Sequence, residues 1–96
     1  MLPSTLRRIE YDAFKSCRNL ENIALPKGLE YIGSMCFSDT SITGIMLPGA
    51  LKEIGEYVFA DCDSLRTVRV EEGCGADVEK LLENFVRVLI MHQGTK

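Results

Sequence analysis

A Leu-Pro step recurs at residues 2–3, 25–26 and 47–48, and the apolar residues after each step recur in register with it. Leu6, Leu29 and Leu51 share one place in the period, and Ile9, Ile32 and Ile54 the next. Phe14, Phe37 and Phe59 follow, then Leu20, Ile42 and Leu65, then Ile23, Ile45 and Val68. The spacings between steps are 23 and 22 residues. The second period is one residue short, and the loss is placed between Phe37 and Ile42, where the other two periods carry Cys17 and Cys62. A fixed period of this length marks a solenoid, because one unit cannot bury its own apolar face whereas a stack buries it continuously. Three units are about the minimum for such a stack.

Each unit holds two short extended stretches. Leu6-x-x-Ile9, Leu29-x-x-Ile32 and Leu51-x-x-Ile54 form the first and lead to an inward phenylalanine. The second comprises residues 22–25, 44–47 and 67–70, with strict alternation: Ile23/Leu25, Ile45/Leu47 and Val68/Val70 face inward. Pro26 and Pro48 end the first two of these strands, since proline cannot donate to a ladder. Gly28, Gly33, Gly49 and Gly55 are assigned to turns, as positions where a positive φ carries no Cβ penalty. Parallel rungs lie about 4.8 Å apart, so equivalent residues form ladders, with Phe14, Phe37 and Phe59 stacked as one. The expected fold is a β-rich solenoid of stacked parallel strands, with repeats at 2–24, 25–46 and 47–70 plus a turn to 73, and a capping segment over 74–96.

Composition narrows the function. The 96 residues are 46% apolar and 26% charged, as in one small globular domain. A net charge of −3 without a Lys/Arg cluster lacks the basic footprint of a nucleic-acid binder. The longest apolar run, residues 88–91, is far too short to span a bilayer, so no membrane insertion is expected. The first eight residues hold no apolar stretch of signal-peptide length.

After Val70 the pattern breaks at Glu71-Glu72-Gly73-Cys74. Asp77 can cap a short helix with Val78, Leu81, Leu82 and Phe85 on one face. Two continuations are open: one helix to about Gln93, or a helix ending near Asn84 followed by a strand over 86–90 that sets Val88 beside Val68 as a last rung. The β-branched residues favour the second.

Among candidate sites, Cys17 and Cys62 stand two rungs apart, beyond disulfide reach. Cys36 aligns with Ala13 and Val58 as a small buried residue, and Cys74, in a Gly-flanked turn, is expected to be the most exposed thiol. There is no Cys-x-x-Cys, and His92 is the sole histidine, so neither a zinc site nor a catalytic pair is indicated. Residues 72–75 lack phosphate-loop spacing, and no cofactor is expected. The better candidate is the outward side of the second stretches: Asn22, Gly44 and Thr67 in one row, Ala24, Met46 and Arg69 in the next. Met46 offers an adaptable apolar contact and Arg69 a forked donor. An ordinary solvated sheet face accounts for the same residues. A second patch, Tyr11, Tyr31 and Tyr57, falls on the first stretch and its turn, and partial burial against the solenoid explains it equally.

The pattern Leu-Pro-x-x-Leu-x-x-Ile-x-x-x-x-Phe-x-x-Cys-x-x-Leu-x-x-Ile-x-Leu-Pro, covering residues 2–73, resembles the BspA-type leucine-rich repeat. The resemblance implies a repeat solenoid that binds proteins, often displayed on the surface of bacteria or protozoan parasites. The second repeat departs from it by lacking the Cys of the Phe-x-x-Cys step. Nothing before Leu2 covers the first rung. A bare strand edge of this kind is a template for pairing with a second copy, unless preceding repeats of a longer solenoid cover it. The expectation is therefore a non-catalytic protein–protein recognition module, and the alternative a self-assembling adhesion unit that forms a homodimer through its N-terminal edge. A thiol-dependent enzyme using Cys74 or His92 ranks last. For location, the resemblance favours a cell surface, and the unpaired cysteines a reducing compartment.

Overall fold

A computed structural model of the chain describes residues 2–77 and 89–92. Among the described residues six short strands make two parallel three-stranded sheets. The first sheet stacks β1 (Arg8–Ile9), β2 (Tyr31–Ile32) and β4 (Glu53–Ile54), with Ile9 beside Ile32 and Ile32 beside Ile54. The second stacks β3 (Gly44–Leu47), β5 (Thr67–Val70) and β6 (Leu89–His92), with Ile45 beside Val68. Each period thus contributes one rung, and the period-to-period apolar matches become neighbours in space.

The core lies between the sheets. Leu29, Ile32, Phe37, Ile42, Leu47, Leu51, Val58, Phe59 and Val68 are fully buried within it. The phenylalanine ladder is a parallel ring stack, with centroids 5.5 Å apart from Phe14 to Phe37 and 5.9 Å from Phe37 to Phe59. First-rung residues Leu6, Phe14, Leu20 and Ile23 are only partly buried, because a rung covers them on one side alone.

Between β-stretches the chain turns through an arc that makes its own ladder. The N–H groups of Asp12, Phe14 and Ser16 donate to the carbonyls of Ser34, Cys36 and Ser38 on the next rung, at 2.8–3.1 Å. Met35, Phe37 and Asp39 donate onward to Glu56, Val58 and Ala60 in the same manner. Two left-handed residues per rung produce this geometry: Asp12, Met35 and Tyr57 at one corner, Ser16, Asp39 and Asp61 at the other, all with φ near +60°. The glycines assigned to positive φ do not have it; among the described glycines only Gly73 does. Gly33 and Gly55 are there for proximity instead. A Cβ on Gly33 would lie 2.3 Å from the backbone nitrogen of Tyr11, and one on Gly55 2.3 Å from that of Ser34.

Several expectations are corrected by the backbone. Thr40, three residues after Phe37, fills the place of the missing cysteine, so the deletion falls after it, between Thr40 and Ile42. Its hydroxyl donates to the Phe37 carbonyl at 2.9 Å and lies 3.4 Å from the Cys62 sulfur. Residues 22–25 keep the expected alternation of burial but form no strand, and no backbone hydrogen bond joins them to β3. Asn22 and Ala24 are weak strand formers, and rung one has a neighbour on one side only. The repeat also continues past Val70. The Cys74 N–H donates to the Glu71 carbonyl just as Leu6, Leu29 and Leu51 donate to Pro3, Pro26 and Pro48. Cys74 therefore stands in the leucine column, partly buried against the core. The final strand is Leu89–His92, with Ile90 rather than Val88 beside Val68, which preserves the repeat spacing and excludes one helix running to residue 93. The expected helix from Asp77 to about residue 84 lies largely outside the described residues.

Candidate functional site

Three successive rungs build the outward face of the second stretches. In β3 and β5 alternate side chains are committed inward, Ile45 and Leu47 on one and Val68 and Val70 on the other. Gly44, Met46, Thr67 and Arg69 consequently face out, in the register Gly44 beside Thr67 and Met46 beside Arg69. Asn22 and Ala24 are exposed on the unpaired segment beside them. All six residues line one open depression of about 480 Å³, and Ile23 and Ile45 complete its lining. The two isoleucines escaped the sequence reading because alternation assigned them wholly to the core. Ile45 is indeed buried, whereas Ile23 is only half-buried where the first rung leaves β3.

Composition of the lining decides what the depression can do. Gly44 keeps it open: a Cβ there would come within 3.0 Å of the Thr67 hydroxyl. Met46 gives a deformable apolar contact at its centre. Arg69 is exposed and makes no ion pair with a described residue; its guanidinium is a planar forked donor of the kind that suits a carboxylate or backbone carbonyl. A second, more apolar depression of about 330 Å³ adjoins the first across residues 22–24 and is lined further by Leu2, Phe14 and Leu20. It is the open end of the phenylalanine and leucine ladders.

The tyrosines do not form one patch. Tyr31 is half-buried under the Arg8 guanidinium, 4.1 Å from its ring centroid, whereas Tyr11 and Tyr57 stand exposed at the arc corner with Met35. Opposite charges alternate down the neighbouring column, where Glu30 lies 3.9 Å from Arg7 and 3.8 Å from Lys52. Exposed pairs of this length contribute little to stability.

The thiols also rank differently from expectation. Cys17 is the exposed one, Cys74 is intermediate, and Cys36 and Cys62 are buried. Cys74 is covered because it continues the leucine column. Cys17 is exposed on the first described rung, whereas its counterpart Cys62 is buried. Burial pushes the Cys36 thiol up to about 12, which removes its nucleophilic thiolate at neutral pH. A disulfide reagent at pH 8 should therefore titrate Cys17 first, and Cys36 and Cys62 only on unfolding. Labelling followed by peptide mass mapping checks the order. Among the described residues no group of three or more His, Cys, Asp and Glu side chains is placed to hold a metal ion.

Stacked parallel rungs, inward Leu, Ile and Phe ladders and an open strand face define a leucine-rich-repeat solenoid, a class of protein that works by presenting a surface. The chain belongs to the BspA-type leucine-rich repeat family, whose sequence model matches residues 1–84 in six copies. Three Leu-Pro periods are counted over the same stretch, so the copy number differs while the family agrees. No curated protein and no solved structure matches the chain. Repeats of this kind serve protein–protein interaction or adhesion in general, and they are generally non-catalytic.

Proposed function

We propose that the chain is a non-catalytic recognition module that holds a protein partner on the outward face of its second stretches. The observation carrying this reading is that Asn22, Ala24, Gly44, Met46, Thr67 and Arg69, drawn from three rungs, line a single depression. Its shape favours a polypeptide over a small molecule, since small-molecule sites are enclosed and bury most of the ligand. Small residues leave the backbone reachable, Met46 adapts to an apolar side chain, and Arg69 fixes a carboxylate or carbonyl by a forked pair of hydrogen bonds.

A displayed library of random peptides selected on the chain should yield binders that depend on this face. Met46→Ala and Arg69→Ala should each weaken them about tenfold or more, the loss expected of a central contact. The melting temperature should stay unchanged, because neither side chain is in the core. Binders indifferent to both substitutions would place the recognition surface elsewhere.

A further inference from the structure

The end of the solenoid at rung one carries a side chain where the geometry of the stack requires none. Gly33 and Gly55 occupy the same place in the second and third rungs, directly after Ile32 and Ile54. Each N–H donates back to the preceding rung, Gly33 to the Ile9 carbonyl and Gly55 to the Ile32 carbonyl, both at 2.8 Å. This draws the backbones so close that a Cβ on Gly33 would lie 2.3 Å from Tyr11 nitrogen and 2.7 Å from Glu10 carbonyl carbon. On Gly55 it would lie 2.3 Å from Ser34 nitrogen and 2.6 Å from Ser34 Cα. Backbone atoms cannot yield as the tip of a flexible side chain can.

The residue at this place in rung one is Glu10. Its backbone follows the same course: the Glu10 carbonyl accepts from Ala13 N–H at 3.3 Å, as the Gly33 carbonyl accepts from Cys36 N–H at 3.3 Å. Its Cβ therefore projects into the space that a preceding rung would fill with backbone. The carboxylate beyond that Cβ pairs with Arg8, whose Nε donates to Oε2 at 3.0 Å.

We infer that Glu10 determines what can join the solenoid at its first rung: it bars a further rung of the same geometry, including one offered by a second copy adding head to tail. The exclusion is steric and local. The apolar depression bounded by Leu2, Phe14 and Leu20 on the other stretch of the same rung stays open to partners that do not reproduce a rung. Edge strands in natural sheets are often guarded by inward-pointing charges. Glu10 achieves the same end in a solenoid with its Cβ.

The test adds a rung. A copy of residues 25–46 is placed directly ahead of Leu2 in the full chain, which reproduces the native junction into a Leu-Pro step, and residue 10 is left as Glu or changed by Glu10→Gly or Glu10→Ala. With Glu10→Gly the extra rung should seat. The melting temperature should then rise by about 5 °C or more over the chain without the added copy. The residue-10 amide should also exchange at least about tenfold more slowly, as it acquires the bond that Gly33 and Gly55 make. With Glu10 or Glu10→Ala neither change should appear. Equal gains in all three chains would overturn the inference. So would equal gains for Glu10→Ala and Glu10→Gly, which would make the carboxylate rather than the Cβ the barrier. No gain in any chain would also overturn it, since Glu10 would then not be what keeps the rung out.

Discussion

Phe37→Ala should lower stability by about 3–5 kcal/mol, the loss found when a large aromatic is removed from a packed core. Phe37 is fully buried, and its ring stacks on Phe14 at 5.5 Å and on Phe59 at 5.9 Å, so truncation opens a void that two neighbouring rungs share. Total stability of natural domains is about 5–15 kcal/mol, and a chain of 96 residues belongs at the lower end. The variant should be largely unfolded at 37 °C, as read by far-ultraviolet circular dichroism and by a denaturant midpoint shifted at constant m-value. Phe14→Ala should cost clearly less, because Phe14 has a stacking partner on one side and is only partly buried. A loss below about 1 kcal/mol for Phe37→Ala would mean that the ladder does not hold the rungs together.

That ladder was legible because hydrophobic period survives translation into space: Phe14, Phe37 and Phe59 recur in the sequence and stack in the fold. Cys36 was legible for the same reason, as its counterparts Ala13 and Val58 are also small and apolar. Alternation also placed Gly44, Met46, Thr67 and Arg69 on the outward face, which is why the lining of the larger depression could be named in advance. What the sequence did not disclose was backbone geometry. The left-handed corners fall on Asp12, Met35, Tyr57, Ser16, Asp39 and Asp61, none of them glycine. They occur together with the arc's hydrogen bonds, and Met35 and Tyr57 adopt a region that bulky residues rarely visit. Thr40 went unrecognised as the counterpart of Cys17 and Cys62 because the pattern carries a cysteine there, although a hydroxyl makes a comparable short bond to the Phe37 carbonyl. Cys62 sulfur reaches that same carbonyl at 3.0 Å. Cys74 was misread as a turn because it replaces leucine in a column that glycines flank. In each case the residue type changed while the position in the rung did not.

The glycines give the other large effect. Gly33 and Gly55 have ordinary φ values, so replacing them introduces no strain of backbone conformation. The whole penalty of Gly33→Ala or Gly55→Ala must come from contact with the rung beneath, where the new methyl would stand 2.3 Å from a backbone nitrogen. To relieve it the rungs must separate, and separation breaks the Gly33-to-Ile9 or Gly55-to-Ile32 hydrogen bond and strains its neighbours, Tyr31 to Arg7 and Glu53 to Glu30. Overpacking costs about 1–3 kcal/mol and each lost hydrogen bond about 0.5–1.5 kcal/mol. The sum is about 3 kcal/mol. Because a solenoid is held by nearest-neighbour interfaces, the damage should be directional. Gly33→Ala should release rung one and speed hydrogen exchange at Tyr31 and Gly33 while the later rungs stay protected. Gly55→Ala cuts the stack near its middle and should unfold the chain as a whole. Gly75→Ala is the control, since its nearest contact would be the Leu51 carbonyl at 3.9 Å, and it should change stability by no more than about 0.5 kcal/mol. Similar losses for all three would assign the effect to glycine in general. The predicted ranking would instead locate it in the close approach of adjacent rungs.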